Sequence, residues 1–237
     1  MCKPIAYRER MPRDTLTREQ IVAAAVELLD AEGLEGLNMR ALGKRLDAAA
    51  TAVYWHLGSK DDIIAGAADQ VWSEVPLPEP DAGGWRAAAS AMAAGLYAML
   101  SGHPWLMQAL GSYVLSGPAK ARHDDHILAV YEAAGFSGEQ ADQAAAAVFT
   151  YVLGNALGPA AAASLTRKLS RSGDAAELMR ERTAQARELA ARFPRLRSRI
   201  DSAVMADGAA PGDSFEFGLQ ALLDGLAQRL APPRRSP

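Results

Sequence analysis

Apolar residues recur along this chain at spacings of three and four, and convincing runs of alternating β-branched residues are missing. That pattern predicts helices from end to end, and the abundance of alanine, the strongest helix former, agrees with it. A first helix starts at Thr17, where Thr17 and Gln20 form a capping-box pair and Leu16 can staple onto Ile21. Ile21, Ala25, Leu28 and Leu29 then share one face, and Gly33 is placed to end the helix. Asn38 opens a second helix with Met39, Leu42 and Leu46 on one side. Asp47, Ala48 and Ala49 interrupt it, and a very short third helix covers about residues 50–56. Ser59 caps a fourth, with Asp61 and Asp62 near its positive end.

Pro76, Pro78, Pro80, Gly83 and Gly84 stop that fourth helix and form the one obvious internal linker, although the helix is expected to pack against both sides of it. Further helices are predicted near 84–101, 104–116, 119–134, 138–167, 174–192 and 214–230. Pro159 should kink the long one, because it removes a backbone donor and crowds the preceding turn. Residues 207–213, DGAAPGD, read as a mobile loop, and the terminal APPRRSP as disordered. No repeat of fixed period is visible.

Three short helices in about 40 residues, the last after a tight turn, outline a helix-turn-helix unit. The residues sharpen this reading. The segment LTREQIVAAAVELLDAEGLEGLNMRALGKRLDAAATAVYWHLGSKDDII resembles the DNA-binding domain of the TetR family of bacterial regulators, through its EGLEGLNMRAL entry into the second helix and its AVYWHLGSKDDII run. Tyr54, Trp55 and His56 followed by Lys60 look especially like the tetracycline-repressor branch. The resemblance implies an all-α protein in which an N-terminal helix-turn-helix DNA-binding domain is followed by a C-terminal helical ligand-binding and dimerisation domain. On that basis the chain divides into a flexible basic arm (1–15), the DNA-binding domain with its connecting helix (16–75), the ligand-binding and dimerisation domain (76–231) and a disordered tail (232–237).

The chemistry of the third helix suits that role. A recognition helix must be thin and exposed on one face to enter a major groove about 12 Å wide. Ala49, Ala50 and Ala52 make it thin. Tyr54 and His56 can donate to phosphate oxygens, and Lys60 brings charge to the DNA backbone. Arg40 and Lys44 can hold phosphate or reach a guanine edge, and Thr51 can touch a base or a thymine methyl. The resemblance implies the same roles at Arg40, Thr51, Tyr54, His56 and Lys60. Trp55 joins the candidate interface, with an ordinary alternative for it and for Tyr54: aromatics that close the core of a three-helix bundle. Lys3, Arg8, Arg10, Arg13 and Arg18 outweigh Glu9 and Asp14, so the N-terminal arm either follows a groove or is simply solvated. The turn departs from the family pattern: Asp47 and Ala48 stand where glycine and a bulky apolar residue are usual. Aspartate tolerates left-handed backbone angles, so the turn can survive. The alanine run leaves few polar groups for direct readout, which shifts specificity toward methyl contacts and DNA shape.

In the second domain, Phe215, Leu219, Leu222, Leu223, Leu226 and Leu230 make an apolar stripe, flanked by the small residues Gly218, Ala221 and Gly225. Ala147, Gly154, Gly158 and Ala161 make a similar smooth track on the long helix. Helices this smooth can pair with their copies in a four-helix interface, which points to a homodimer through 138–167 and 214–230; internal core is the alternative. FEFGLQALLDGL and PLPEPDAGGW also look like the ligand domains of tetracycline-repressor-type proteins. Two copies would read a palindromic operator with half-sites about one helical turn apart. Since TetR-like proteins commonly bind an effector in this domain, His103, Trp105, Gln108, Tyr113, His126, Tyr151 and Asn155 are candidate contacts to a small, largely apolar or aromatic effector, each with a core or surface role as the alternative.

Composition narrows the rest. The 237 residues are 49% hydrophobic and 22% charged, enough to bury a core. A net charge of −3 excludes a uniformly basic DNA-binding coat, so DNA contact must be local. The only cysteine is Cys2, which excludes an internal disulfide framework and fits a cytoplasmic protein. The basic start MCKPIAYRERMPRD is no secretory signal, and no uninterrupted apolar run approaches a membrane span. GxSxG, Walker-loop and HExxH motifs are absent, and no cofactor or metal is implied. The rival readings are a dimeric small-molecule-binding protein without specific DNA recognition, and an enzyme using His123 and His126 of the HDDH cluster.

Overall fold

The computed structural model describes residues 16–79, 84–172, 175–200 and 211–230. Among these the chain forms no strand and eleven helices. They are α1 (Arg18–Gly36), α2 (Met39–Arg45), α3 (Ala50–His56), α4 (Lys60–Trp72), α5 (Gly84–Gly102), α6 (Trp105–Leu110), α7 (Pro118–Ala133), α8 (Glu139–Ser172), α9 (Ala175–Ala191), α10 (Pro194–Ile200) and α11 (Pro211–Leu230). The all-α expectation holds. The arm 1–15, the tail 232–237 and residues 207–210 of the expected loop lie outside the described residues.

The first four helices start where the sequence signals put them. Thr17 Oγ1 accepts from the Gln20 amide at 3.2 Å, and Gln20 Oε1 accepts from the Thr17 amide at 2.9 Å. Asn38 caps α2 through the Ala41 amide, and Ser59 caps α4 through the Asp62 amide. Gly33, at φ 71°, breaks the regular part of α1 and leaves one short turn to Gly36. Ile21, Leu29, Leu42, Val53, Ile63 and Ile64 are buried together and lock the three-helix unit to α4.

The turn between α2 and α3 depends on two residues. Asp47 sits at φ 48°, in the left-handed region that its short polar side chain tolerates. Gly43 is the second, and nothing in the periodicity singled it out. The Ala48 amide donates to its carbonyl at 2.9 Å, and a Cβ on Gly43 would lie 2.7 Å from the Ala48 carbonyl oxygen. The turn folds so tightly onto α2 that a side chain has no room there.

Beyond the linker, α5, α7 and α8 form the central bundle; α6 wedges between α1 and α8, and α11 packs on α5 and α8. The expected helix 104–116 stops at Leu110, where Gly111 and Ser112 end it. Helix α10 was not anticipated, and α11 begins at Pro211 rather than 214, with proline in its first turn where a missing amide costs nothing. Helix α8 carries Pro159 inside it. By length and mean composition α8 is apolar enough to cross a membrane, although Thr150, Asn155 and Ser164 interrupt its apolar residues. Its alanine content produces that property, and its stripe Ala141, Ala144, Val148, Val152, Ala156 and Ala160 is packed into the bundle.

Gly43→Ala should destabilise the fold by about 1–3 kcal/mol, the usual cost of overpacking. Urea unfolding checks this; an unchanged midpoint would show that the turn has slack.

Candidate nucleic-acid interface and effector cavity

Helix α3 has one face in the core and the other in solvent. Val53 is fully buried and Leu57 nearly so. Thr51, Tyr54, Trp55 and His56 are exposed, and Ala52 is half-buried. Trp55 exposes 90% of its surface and Tyr54 50%, which removes the core alternative for both. Arg40 and Lys44 on α2 are also exposed, with no ion-pair partner among the described residues. Lys60 differs from expectation. Its ammonium donates to the Leu34 carbonyl at 3.1 Å, so it ties the end of α1 to the start of α4. Arg45, which the sequence did not single out, fixes α2 to α1 by two hydrogen bonds to Glu27, at 3.0 and 2.8 Å. The exposed face thus presents Thr51, Tyr54, Trp55 and His56 beside two cations that have no ion-pair partner among the described residues.

A cavity of about 240 Å³ lies between α5, α7 and α8. Helix α5 contributes Ala89, Met92, Ala93 and Leu96; α7 contributes Lys120, His123, Asp124, Ile127 and Leu128. Helix α8 closes it with Asp142, Ala145, Ala146, Val148 and Phe149. The Lys120 ammonium pairs with the Asp124 carboxylate and lies 5.3 Å from the centre of the Trp72 ring. His123 is only 6% exposed, with its ring 4.9 Å from that of Trp72. Burial pushes the His123 imidazole below its ordinary range, against the opposing pull of Asp124.

None of the seven residues expected to touch an effector lines this cavity. Trp105 is fully buried, and its indole nitrogen donates to Asp30 at 2.8 Å. His103 reaches the same Asp30 oxygen at 2.7 Å and Glu74 at 3.2 Å. These two residues therefore clasp α1 and the end of α4 to the junction of α5 and α6. His126 meets the Pro78 carbonyl at 2.8 Å, fixing the linker. The Tyr151 hydroxyl donates to the Phe215 carbonyl at 2.8 Å, and Asn155 donates back to Tyr151 within α8. Gln108 lies in a separate surface groove between α6 and α8, where it donates to Ser164, and Tyr113 is half-buried at the core edge. His103, Trp105, His126 and Tyr151 spend their polar tips on contacts between elements, which only the fold brings together. The HDDH cluster does not converge either: His123 points into the bundle, His126 to the linker, and Asp125 is exposed. Among the described residues no group of three or more potential ligands is placed to hold a metal ion.

A directional contact joins the cavity wall to α4, the helix packed on α1 of the helix-turn-helix unit. Asp69 on α4 accepts from the amides of Ala119 at 2.8 Å and Lys120 at 3.1 Å, so a carboxylate from one helix caps another. Gly117 has to be glycine here, because a Cβ would collide with the Asp69 carboxyl.

Two family models match. One described as bacterial regulatory proteins, tetR family, matches residues 21–67, and one described as tetracyclin repressor-like, C-terminal domain, matches residues 77–230. The chain is 36% identical over 223 residues to an HTH-type transcriptional regulator of Saccharopolyspora erythraea, covering 93% of this chain and 88% of that one. It is 32% identical over 230 residues to the HTH-type transcriptional repressor DrrR1 of Streptomyces coeruleorubidus, covering 95% and 82%. The crystal structure of the Streptomyces coelicolor TetR family protein ActR in complex with actinorhodin superposes with a TM-score of 0.68 at 27% identity, covering 90% of this chain and 96% of that one.

Asp69→Ala should cost about 1–2 kcal/mol, as loss of a helix cap does, while Asp69→Asn, which keeps an acceptor oxygen, should cost less. Thermal melting of the two variants checks the order; equal losses would mean that packing, not capping, holds α7 to α4.

Proposed function

The chain belongs to the TetR family of bacterial regulatory proteins, and on that premise we propose that it works as a homodimeric, ligand-responsive repressor. In this reading two copies of α3 enter successive major grooves of a palindromic operator in the cytoplasm. The observation that carries it is the bare face of α3, above all the 90% exposed Trp55 beside Tyr54. A solvated indole of this size is rare on a surface without a partner. Thr51 and Ala52 approach base edges, Tyr54, Trp55 and His56 meet sugar and phosphate, and Arg40 and Lys44 supply charge from α2. Lys60 acts at the DNA backbone only by leaving the Leu34 carbonyl; otherwise it positions α4.

The dimer forms through α8 and α11. Gly154, Leu157, Gly158 and Ala161 on α8 are exposed, as are Phe217, Ala221 and Gly225 on α11. Leu157 is 59% and Phe217 79% exposed, so an apolar face remains to be covered, and a second copy covers it symmetrically. Gly218 has a different role from the one its spacing suggested. It lies under the Tyr151 hydroxyl, inside the protomer.

The effector occupies the cavity between α5, α7 and α8. A ligand there touches α7 at Lys120 and His123, and α7 is tethered to α4 by Asp69. Displacement of α7 thus reaches the helix on which the DNA-reading unit is mounted. A coupling of about 1–3 kcal/mol is enough to release an operator.

Selection of random duplex oligonucleotides with the purified protein should return a palindrome. Against that site, Tyr54→Ala should weaken binding about tenfold, and Lys44→Ala should also reduce the salt slope by about one. No enriched sequence would favour a binding protein that does not read DNA. For the dimer, a Cβ at Gly158 meets nothing within 4 Å in the protomer. Gly158→Arg should therefore keep helicity yet give monomers in analytical ultracentrifugation, whereas a persistent dimer would place the interface elsewhere.

A further inference from the structure

The cavity carries an unbalanced charge, and this restricts what it can hold. Its polar groups are Lys120, His123, Asp124 and Asp142. The Lys120 ammonium is already matched by the Asp124 carboxylate, and that pair contributes no net charge. Burial against Trp72 pushes the His123 imidazole toward its neutral form, against the pull of Asp124. Asp142 remains. Its carboxylate has no hydrogen-bond or ion-pair partner among the described residues. It stands at the exposed mouth, three and seven residues before Ala145 and Phe149 on the same face of α8.

The helix ends do not reverse this balance. The positive end of α7 is met by Asp69, and Glu139 shares the first turn of α8 with Asp142. An anionic ligand would lose its hydration beside an unpaired carboxylate, with the cavity's single lysine already engaged. A ligand cation would meet the Asp142 carboxylate at the cavity mouth. The remaining walls, including Met92 and Leu96, are apolar, and a volume of about 240 Å³ suits a body of roughly two fused rings.

We propose that this cavity selects amphipathic cations: a compact apolar or aromatic body held between α5 and α8, with a protonated amine at Asp142. The inference rests on the reading that this cavity is the effector site, and it adds the charge class of the effector.

Three matched probes test it on the full-length protein by calorimetry at neutral pH and low salt: naphthylmethylamine, naphthylmethanol and naphthylacetate. The amine should bind about tenfold tighter than the acetate, with the alcohol between, since one favourable and one unfavourable charge contact are compared. Asp142→Asn, at an exposed position with no partner to lose, should collapse the difference and leave the alcohol unchanged. Acetate binding as tight as the amine, a preference that survives Asp142→Asn, or no binding by any of the three would overturn the proposal. Release of the selected operator by the amine is read separately. Binding without release would keep the charge preference and remove the effector role of the cavity. Failure to bind DNA without any probe would instead remove the repressor reading.

Discussion

The capping of α7 by the Asp69 carboxylate of α4 is the interaction that the arrangement of this molecule rests on. The carboxylate belongs to α4, which is packed on α1, yet its two hydrogen bonds go to the first free amides of α7. Helix starts leave amides without intrahelical partners, so a carboxylate from another helix is both a cap and a tether. The sequence around the contact is shaped to it. Pro118 supplies a first helical residue that needs no partner, and Gly117 leaves space for the carboxyl. Without this contact, the wall of the cavity and the mount of the DNA-reading unit would meet mainly through nondirectional apolar packing around Trp72.

A second fastening works in parallel. His103 and Trp105 converge on Asp30 of α1, and His103 also reaches Glu74 just beyond α4. The two fastenings are polar and directional, and they hold α1 and α4 at different points along the bundle. Polar contacts of this kind are made or broken over small displacements, whereas apolar contacts slide. In the proposed effector response a shift of α7 relative to α5 would change the Asp69 contact, while the His103 clasp would keep holding α1 and the end of α4. The binding free energy of a ligand can act on such a contact only through its different affinity for the two arrangements.

The parts legible in the sequence were those governed by local rules. Thr17, Asn38 and Ser59 cap helices through their own neighbours, and Asp47 carries its left-handed turn because of its own side chain. The exposed face of α3 followed from its alanines and from the short interval between breaks. The cavity was not legible, because its walls come from three helices far apart in the chain and consist mostly of Ala, Met, Leu and Val, which carry no distinguishing chemistry. The residues chosen instead had conspicuous polar tips. In a folded chain a buried tip seeks a partner first, and Trp105, His103 and Tyr151 each found one between helices. Gly43 and Gly117 were missed for the same reason: each is needed because of an atom that comes close only after folding, the Ala48 carbonyl oxygen in one case and the Asp69 carboxyl in the other.

The thinness of α3 has a consequence for how an operator is read. A helix whose exposed positions are Thr51 and a cluster of aromatic and imidazole rings offers few bidentate partners for base edges. In the proposed interface its rings and the two cations of α2 would meet the sugar–phosphate backbone instead. Discrimination in such an interface comes from how closely the alanine surface can approach and from the local shape of the groove. Those are weak terms for one copy of α3, and a twofold arrangement would double them in free energy, because both half-sites must fit at one fixed separation. In the proposed dimer that separation would be set by α8, α11 and the two fastenings on α1 and α4. A regulator with this recognition helix therefore depends more heavily on the rigidity of its distant dimer face than one with an arginine- or asparagine-rich helix does. The same dependence would make the proposed repressor sensitive to its effector, because a small change of angle at α4 would be felt at both grooves at once.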